Sequence, residues 1–116
     1  MITIEFKEWI TMQYKLLLRH FPSDTPREEI LIRLAKLTEE VGELADEVLS
    51  SLKHQRKEKL EQKTDDALAS EFADVFITTS LLAEAMGVDI SQALHNRLPK
   101  INERFEKIEA DAASIT

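Results

Sequence analysis

The chain has 116 residues, a formal net charge of −7, two glycines, three prolines and no cysteine. This length fits a single domain over residues 1–116, and the missing cysteines exclude disulfide frameworks and thiolate metal sites. The negative charge argues against a nucleic-acid partner. No apolar run reaches the roughly 18 residues of a membrane span, and the N-terminus lacks the pattern of a signal peptide. We therefore expect a protein of the cytoplasm. Leu, Ala, Glu and Lys are abundant, which indicates an all-α chain.

Two helices are predicted in the first half of the chain. Residues from about Thr3 to Arg19 carry an apolar stripe at helical spacing, and His20 to Asp24 form a loop. The second helix starts with Thr25 as its N-cap and Pro26 in its first position, followed by the capping-box residue Glu28. Its apolar stripe continues to Leu52.

A polar stripe runs beside the apolar one on the second helix. Glu39 lies about 100° from Glu40 and is expected to face outward. Gly42 costs about 1 kcal/mol in mid-helix relative to Ala, which suggests close approach of another helix or of a ligand. Acids on such a helix are commonly plain solvated surface. The stripe consists of Lys36, Glu40, Glu43 and Glu47.

The charged segment 53–63 lacks an apolar stripe, so it is either a solvated extension of the second helix or a mobile connector; we favour the connector. The third helix, from Asp65 or Asp66 to Met86, is apolar on opposite faces and ends at Gly87. Four or five short helices can hardly cover both faces. We therefore expect a homodimer or homotetramer, with an interface that includes Phe72, Phe76, Ile77 or Leu81.

Glu71 and Asp74 lie three residues apart in this apolar helix and so share one face. Carboxylates in such surroundings need a partner. The simple alternative is a salt bridge to Lys or Arg. Facing the acids of the second helix, they would form an oxygen-rich cage, which suits magnesium or manganese better than zinc.

The last part of the chain is predicted to hold two more helices. Asp89 caps a short fourth helix, and Pro99 breaks it and opens a fifth. Residues 110–116 are expected to fray. The predicted fold is an all-α bundle of four to five helices. In the fifth helix the inward positions are Ile101, Phe105 and Ile108.

These patterns resemble the MazG-type, all-α nucleoside triphosphate pyrophosphohydrolases. The resemblance covers roughly Phe6 to Phe105 and includes one departure, because Leu98 stands where many members carry Asn two residues before a late Lys. The residues that carry it are Glu39-Glu40-x-x-Glu43, Glu71-x-x-Asp74-Val75-Phe76, Gly87-Val88-Asp89-Ile90 and Lys100-Ile101-x-x-Arg104-Phe105.

The resemblance implies magnesium-dependent hydrolysis of a nucleoside triphosphate to the monophosphate and pyrophosphate. It also implies that Glu39 is an outer ligand or orients the attacking water. Lys36, Lys100 and Arg104 could add positive charge to the phosphates, or be ordinary surface charges. Trp9 could stack on a nucleobase, or belong to the core or an interface. The magnesium ligands that the family pattern implies are Glu40, Glu43, Glu71 and Asp74.

Two alternatives remain open from the sequence. One is phosphoribosyl-ATP pyrophosphohydrolase activity, which shares the fold and the bond cleaved. The other is a non-catalytic helical interaction module whose acids are only surface charge. A substrate panel separates the two enzymes, and a metal titration separates both enzymes from the module.

Overall fold

The computed structural model describes residues 2–56 and 63–115, and the central part of the predicted connector lies outside them. These residues form four α-helices and no strand, which confirms the all-α prediction. No helix among them is long and apolar enough to cross a membrane. The helices are α1 (Ile4–His20), α2 (Pro26–Arg56), α3 (Lys63–Ala85) and α4 (Ile90–Ile115).

Local chemistry explains where these helices begin. The Thr3 hydroxyl accepts a hydrogen bond from the Phe6 N–H (3.2 Å), and the Thr25 hydroxyl accepts one from the Glu28 N–H (3.1 Å). In the same way the Asp89 carboxylate accepts the Gln92 N–H at 3.0 Å. Each cap satisfies one of the unpaired N–H groups in the first turn of its helix.

Gly87 makes the sharp turn between α3 and α4. Its φ of 69° is in the left-handed region, which glycine adopts without a steric penalty. The Gly87 N–H donates to Glu84 O (3.1 Å), and the Val88 N–H donates to Ala83 O (2.9 Å). This is the Schellman pattern, and it ends α3 where the sequence predicts.

α3 is the central helix, with α2 packed along one side and α1 on another. The Phe6 ring of α1 stacks on the Phe76 ring of α3 at a centroid distance of 5.3 Å, and Trp9 stacks on Phe6 at 6.1 Å. Few side chains are fully enclosed. Within the described residues the buried ones are Ile10, Glu29, Arg33 and Ser80.

The single chain is far from compact. Its accessible surface is 8937 Å², whereas a compact monomer of this mass exposes about 6,500 Å². Its radius of gyration is 19.0 Å, against about 13 Å for a compact domain of this length. Phe72 and Phe76 of α3 are 56% and 42% exposed. A large apolar area is therefore exposed in the single chain.

α4 corrects three expectations from the sequence. It is one continuous helix, so the predicted break at Pro99 is wrong, and it continues through residues 110–115, where we expected fraying. Phe105 and Ile108 do not face inward in this chain, being 61% and 60% exposed. Pro99 is itself exposed, so the His95 carbonyl that loses its N–H partner can be hydrated, which lowers the cost of a proline in the helix.

Candidate metal centre

α2 and α3 bring three carboxylates together. Glu40 and Glu43 lie nearly one turn apart on α2, and Glu71 faces them from α3. One oxygen from each lies within 4.8 Å of the other two. We call Glu40, Glu43 and Glu71 the carboxylate cluster. Helical spacing places the α2 pair on one face, and the packing of α3 along α2 supplies the third group.

Two oxygens of the carboxylate cluster lack the partners that buried oxygens normally have. Oε2 of Glu40 and Oε2 of Glu71 are buried, and no donor among the described residues reaches either. Burial raises the pKa of Glu40, and the nearby charge of Glu43 raises it further. Burial also raises the pKa of Glu71, followed by the charges of Glu43 and Asp74. A buried acceptor without a partner is costly, and so is a group of like charges.

A divalent cation fits these residues. It would accept the unpaired oxygens as ligands and offset the clustered negative charge. Carboxylate oxygens suit magnesium or manganese, and neither cysteine nor histidine belongs to the group. The alternative from the sequence, a salt bridge from Glu71 to Lys or Arg, does not form with any described residue.

Residues 29–108 match the family model of the MazG nucleotide pyrophosphohydrolase domain. The match begins in the first turn of α2, ends in α4, and contains the whole carboxylate cluster. This chain belongs to the MazG family. No curated protein matches the chain, and no solved structure does.

Two further acids of this MazG domain lie beside the cluster. Asp74 is exposed and is not one of the three converging carboxylates, but its charge acts on both Glu40 and Glu71. Glu47 also acts on Glu71. Glu47 lies on the polar stripe of α2, one turn beyond Glu43. This spacing of four residues was the sequence signal for its place beside the cluster.

Glu39 and Lys36 form an exposed pair on α2. Lys36 Nζ lies 3.3 Å from Glu39 Oε2, with about half of each side chain exposed. The outward direction predicted for Glu39 is therefore seen. Lys36 has its ion-pair partner on its own helix, one turn away.

The other predicted substrate-binding residues of the MazG domain lie elsewhere in the single chain. Trp9 belongs to the ring stack on Phe76, which is about 140° around α3 from Glu71. Lys100 and Arg104 are exposed on α4, which is almost free of contact with α1, α2 and α3. Within the described residues, the acids are therefore gathered at one place, and Lys100 and Arg104 lie apart from them.

A cavity of about 320 Å³ lies between α1 and the α3–α4 turn. Phe6, Ser80 and Gly87 are among its lining residues, and no member of the carboxylate cluster lines it. Ser80 follows Glu71 by nine residues and so lies about 180° around α3 from it. The cavity and the carboxylate cluster therefore lie on opposite sides of that helix.

Proposed function

We propose that this MazG family member is a magnesium-dependent pyrophosphohydrolase, which converts a nucleoside triphosphate to the monophosphate and pyrophosphate. One observation carries the proposal: three carboxylates from facing helices converge with two buried, unpaired oxygens, inside the segment that matches the family. Acids that are only solvated surface would have no reason to bury one unpaired oxygen each, as Glu40 and Glu71 do.

Glu40, Glu43 and Glu71 would hold the metal, with Asp74 beside them. A bound magnesium ion, or manganese in its place, would neutralise phosphate oxygens and lower the pKa of a water molecule. Glu39 lies one residue before Glu40 and faces solvent, where it could accept a proton from an attacking water. Lys36 next to it could contact a phosphate.

The absence of a Gly-rich phosphate loop from the sequence favours cleavage between the α and β phosphates. The glycines of the sequence are Gly42, inside α2, and Gly87, at the end of α3. No Gly-rich loop is present to wrap a terminal phosphate in backbone N–H groups, as a P-loop does. The carboxylates would then hold the phosphates through a bound metal, with attack expected at the α phosphate and pyrophosphate as the leaving group. Water is the expected attacking group, as the family resemblance implies, and the chain has no cysteine that could attack in its place.

The protein is expected to work as a homodimer or homotetramer. The exposed area of one chain exceeds that of a compact monomer by about 2,400 Å². A standard interface needs only about 800 Å² from each partner. An assembly would also cover Phe72 and Phe76, which are prominent among the exposed apolar residues.

The test is a panel of canonical and modified nucleoside triphosphates, incubated with magnesium and separated by ion exchange. Monophosphate and pyrophosphate in equal amounts are expected from the preferred substrate. The nucleoside diphosphate with inorganic phosphate would contradict the proposal even if the reaction needed magnesium. Phosphoribosyl-ATP belongs in the panel, because its hydrolysis would assign the related activity instead.

A further inference from the structure

The cavity between α1 and the α3–α4 turn has the size and the lining of a small-molecule site. Its volume is about 320 Å³, and ligand pockets usually measure roughly 300–1,000 Å³. An apolar cavity of about 150 Å³ already holds a benzene ring, so this cavity can hold a ring with a short chain. The apolar side chains that line it are Ile2, Phe6, Ile10, Ala83, Val88 and Ile90.

The inner wall of the cavity is well packed. It includes two of the four buried side chains among the described residues, since Ile10 of α1 and Ser80 of α3 are 4% and 3% exposed. The Ser80 hydroxyl donates to the Phe76 carbonyl at 2.9 Å, which fixes the direction of its proton. No donor among the described residues reaches the Ser80 oxygen, so it can still accept a hydrogen bond. The inner wall therefore offers a ligand one fixed acceptor.

Two charged residues of the lining, Lys7 and Asp89, offset each other. Lys7 Nζ lies 3.9 Å from Asp89 Oδ1, and about half of each side chain is exposed. Asp89 also accepts the Gln92 N–H as the cap of α4. Neither charge is therefore left for a ligand to neutralise.

Glu84 is the third charged residue of the lining, and it has no opposite charge beside it. Its Oε2 accepts the Thr11 hydroxyl at 3.1 Å. No cation among the described residues lies within ion-pair distance of this carboxylate. Glu84 and Ser80 are four residues apart on α3, so their side chains are neighbours on one face of the helix. A carboxylate and a hydroxyl oxygen thus face the cavity together, and both accept hydrogen bonds.

We propose that this cavity binds a small organic amine, whose protonated amino group is attached to an apolar ring or chain. The ammonium group has three donors and bonds to Glu84 and to the Ser80 oxygen, while the apolar part packs on Ile10 and Phe6. Hydrogen bonds between two charged groups are about twice as strong as neutral ones. The inference does not rest on the proposed function, because the cavity and the carboxylate cluster lie on opposite sides of α3.

A bound amine would join parts of the chain that otherwise touch little. The lining comes from α1, from α3 and from Ile90, the first residue of α4, which is almost free of contact with the other helices. A ligand that binds only the folded state stabilises it. At about ten times its Kd, the amine should raise Tm by roughly 5 °C. It should do so without displacing magnesium.

The first test compares three probes with the same ring and different head groups: phenethylamine, phenethyl alcohol and phenylacetate. Each is titrated at neutral pH into the full-length ¹⁵N-labelled chain, and amide chemical shifts give both the Kd and the location. The amine should bind about tenfold more tightly than the alcohol, and the carboxylate most weakly. The shifts should concentrate at Ile10, Thr11, Ser80 and Val88.

Two results of this titration would overturn the proposal. Equal affinity of the three probes would mean that Glu84 does not select the charge. Shifts spread over exposed acids, or centred on the carboxylate cluster, would mean that the amine is attracted only by a chain of net charge −7.

Glu84→Gln tests the selecting group directly. The glutamine keeps the shape and can still accept from the Thr11 hydroxyl, so circular dichroism should match wild type. The amine and the alcohol should then bind about equally. Glu8→Gln is the matched control, because it removes an acid from an exposed position of α1 that does not line the cavity. This control should keep the preference for the amine, and identical behaviour of the two variants would refute the role of Glu84.

Ala83→Leu tests the cavity itself, because it fills the space and leaves every charge in place. All three probes should lose binding, whereas Ala67→Leu, at an exposed position of the same helix, should keep it. Undiminished binding to a folded Ala83→Leu chain would place the probes elsewhere and overturn the proposal. If circular dichroism shows that Ala83→Leu does not fold, the comparison of Glu84→Gln with Glu8→Gln decides.

Discussion

Glu40 of α2 and Glu71 of α3 hold carboxylate oxygens within 4.8 Å of each other, although both groups carry the same charge when ionised. The buried Oε2 atoms of both lack a hydrogen-bond donor among the described residues. Such a contact disfavours the folded, metal-free protein and favours whatever binds between the two helices. The predictions on metal, pH and activity follow from it.

Magnesium should stabilise the fold. A ligand that binds only the folded state adds about 2.7 kcal/mol at 100 times its Kd, a rise in Tm of roughly 10 °C for a domain of this size. The measurement is thermal unfolding with increasing magnesium or manganese after dialysis against a chelator. Glu43→Gln should reduce the rise strongly, whereas Glu103→Gln on the exposed face of α4 should not. An unchanged Tm in both metals would count against the metal centre.

Without metal, Glu71→Gln should make the protein more stable at neutral pH. The pKa of Glu71 is raised above its ordinary value of 4.5 in the folded chain, so the folded state binds this proton more tightly than the unfolded state. The stability that the proton provides is fully present below about pH 4.5, the ordinary pKa of the group. It is lost as the pH rises through the raised pKa of the folded state. Glutamine is neutral at every pH and avoids this loss.

The measurement for Glu71 is Tm in chelator from pH 4 to 8, taken as the difference between variant and wild type. The difference should grow as pH rises and then level off. Exposed Glu103→Gln gives the baseline for removing one acid from a chain of net charge −7. A difference that shrinks as pH rises would mean that Glu71 is stabilised by its surroundings when charged.

Glu43→Gln and Asp74→Asn should each lower turnover by more than about 100-fold, since even the outer partners of metal ligands are worth 10- to 100-fold. Both residues are exposed in the metal-free chain, so the helical circular dichroism should hardly change. The assay is pyrophosphate release under saturating substrate and magnesium. Asp74→Asn is the more decisive of the two variants, because the Asp74 carboxylate is not one of the three that converge. Full activity of Asp74→Asn would remove it from the site.

Short-range chemistry made much of this fold predictable. The hydroxyl of Thr25 and the carboxylate of Asp89 accept from N–H groups three residues ahead, so the sequence alone identifies both caps. Thr3 caps α1 in the same way, although the sequence predicted it only as the approximate start of that helix. The carboxylates could be foreseen for the same reason, because spacing of three residues fixes a common face. α2 packs on α3, and this pairing brings Glu71 to Glu40 and Glu43. The pairing agrees with the family resemblance.

α4 shows where local signals fail. Pro99 is a helix breaker by propensity, but the apolar stripe continues on both sides of it, from Leu94 to Ile108. Helix propensity acts over a few residues, whereas an amphipathic helix with a stripe of five apolar positions is stabilised mainly by what the stripe packs on. The position of Lys100 and Arg104 relative to the acids depends on how α4 packs as a whole, and spacing along one chain does not encode that.

The buried ion pair of α2 should matter for stability far more than the exposed one. Arg33 Nε lies 2.9 Å from Glu29 Oε1 with 10% and 5% of the side chains exposed, and the Ser23 hydroxyl donates to Glu29 Oε2 at 2.7 Å. Arg33→Met leaves the Glu29 charge buried without its cation, which should cost about 3–5 kcal/mol.

Lys36→Met is the matched control for Arg33→Met, because it breaks the half-exposed pair with Glu39 on the same helix. It should cost less than about 1 kcal/mol. The measurement is urea unfolding of wild type and both variants at one protein concentration, with magnesium absent so that binding does not contribute. Equal losses in the two variants would mean that the Arg33 pair is solvated in solution and that burial does not set its contribution.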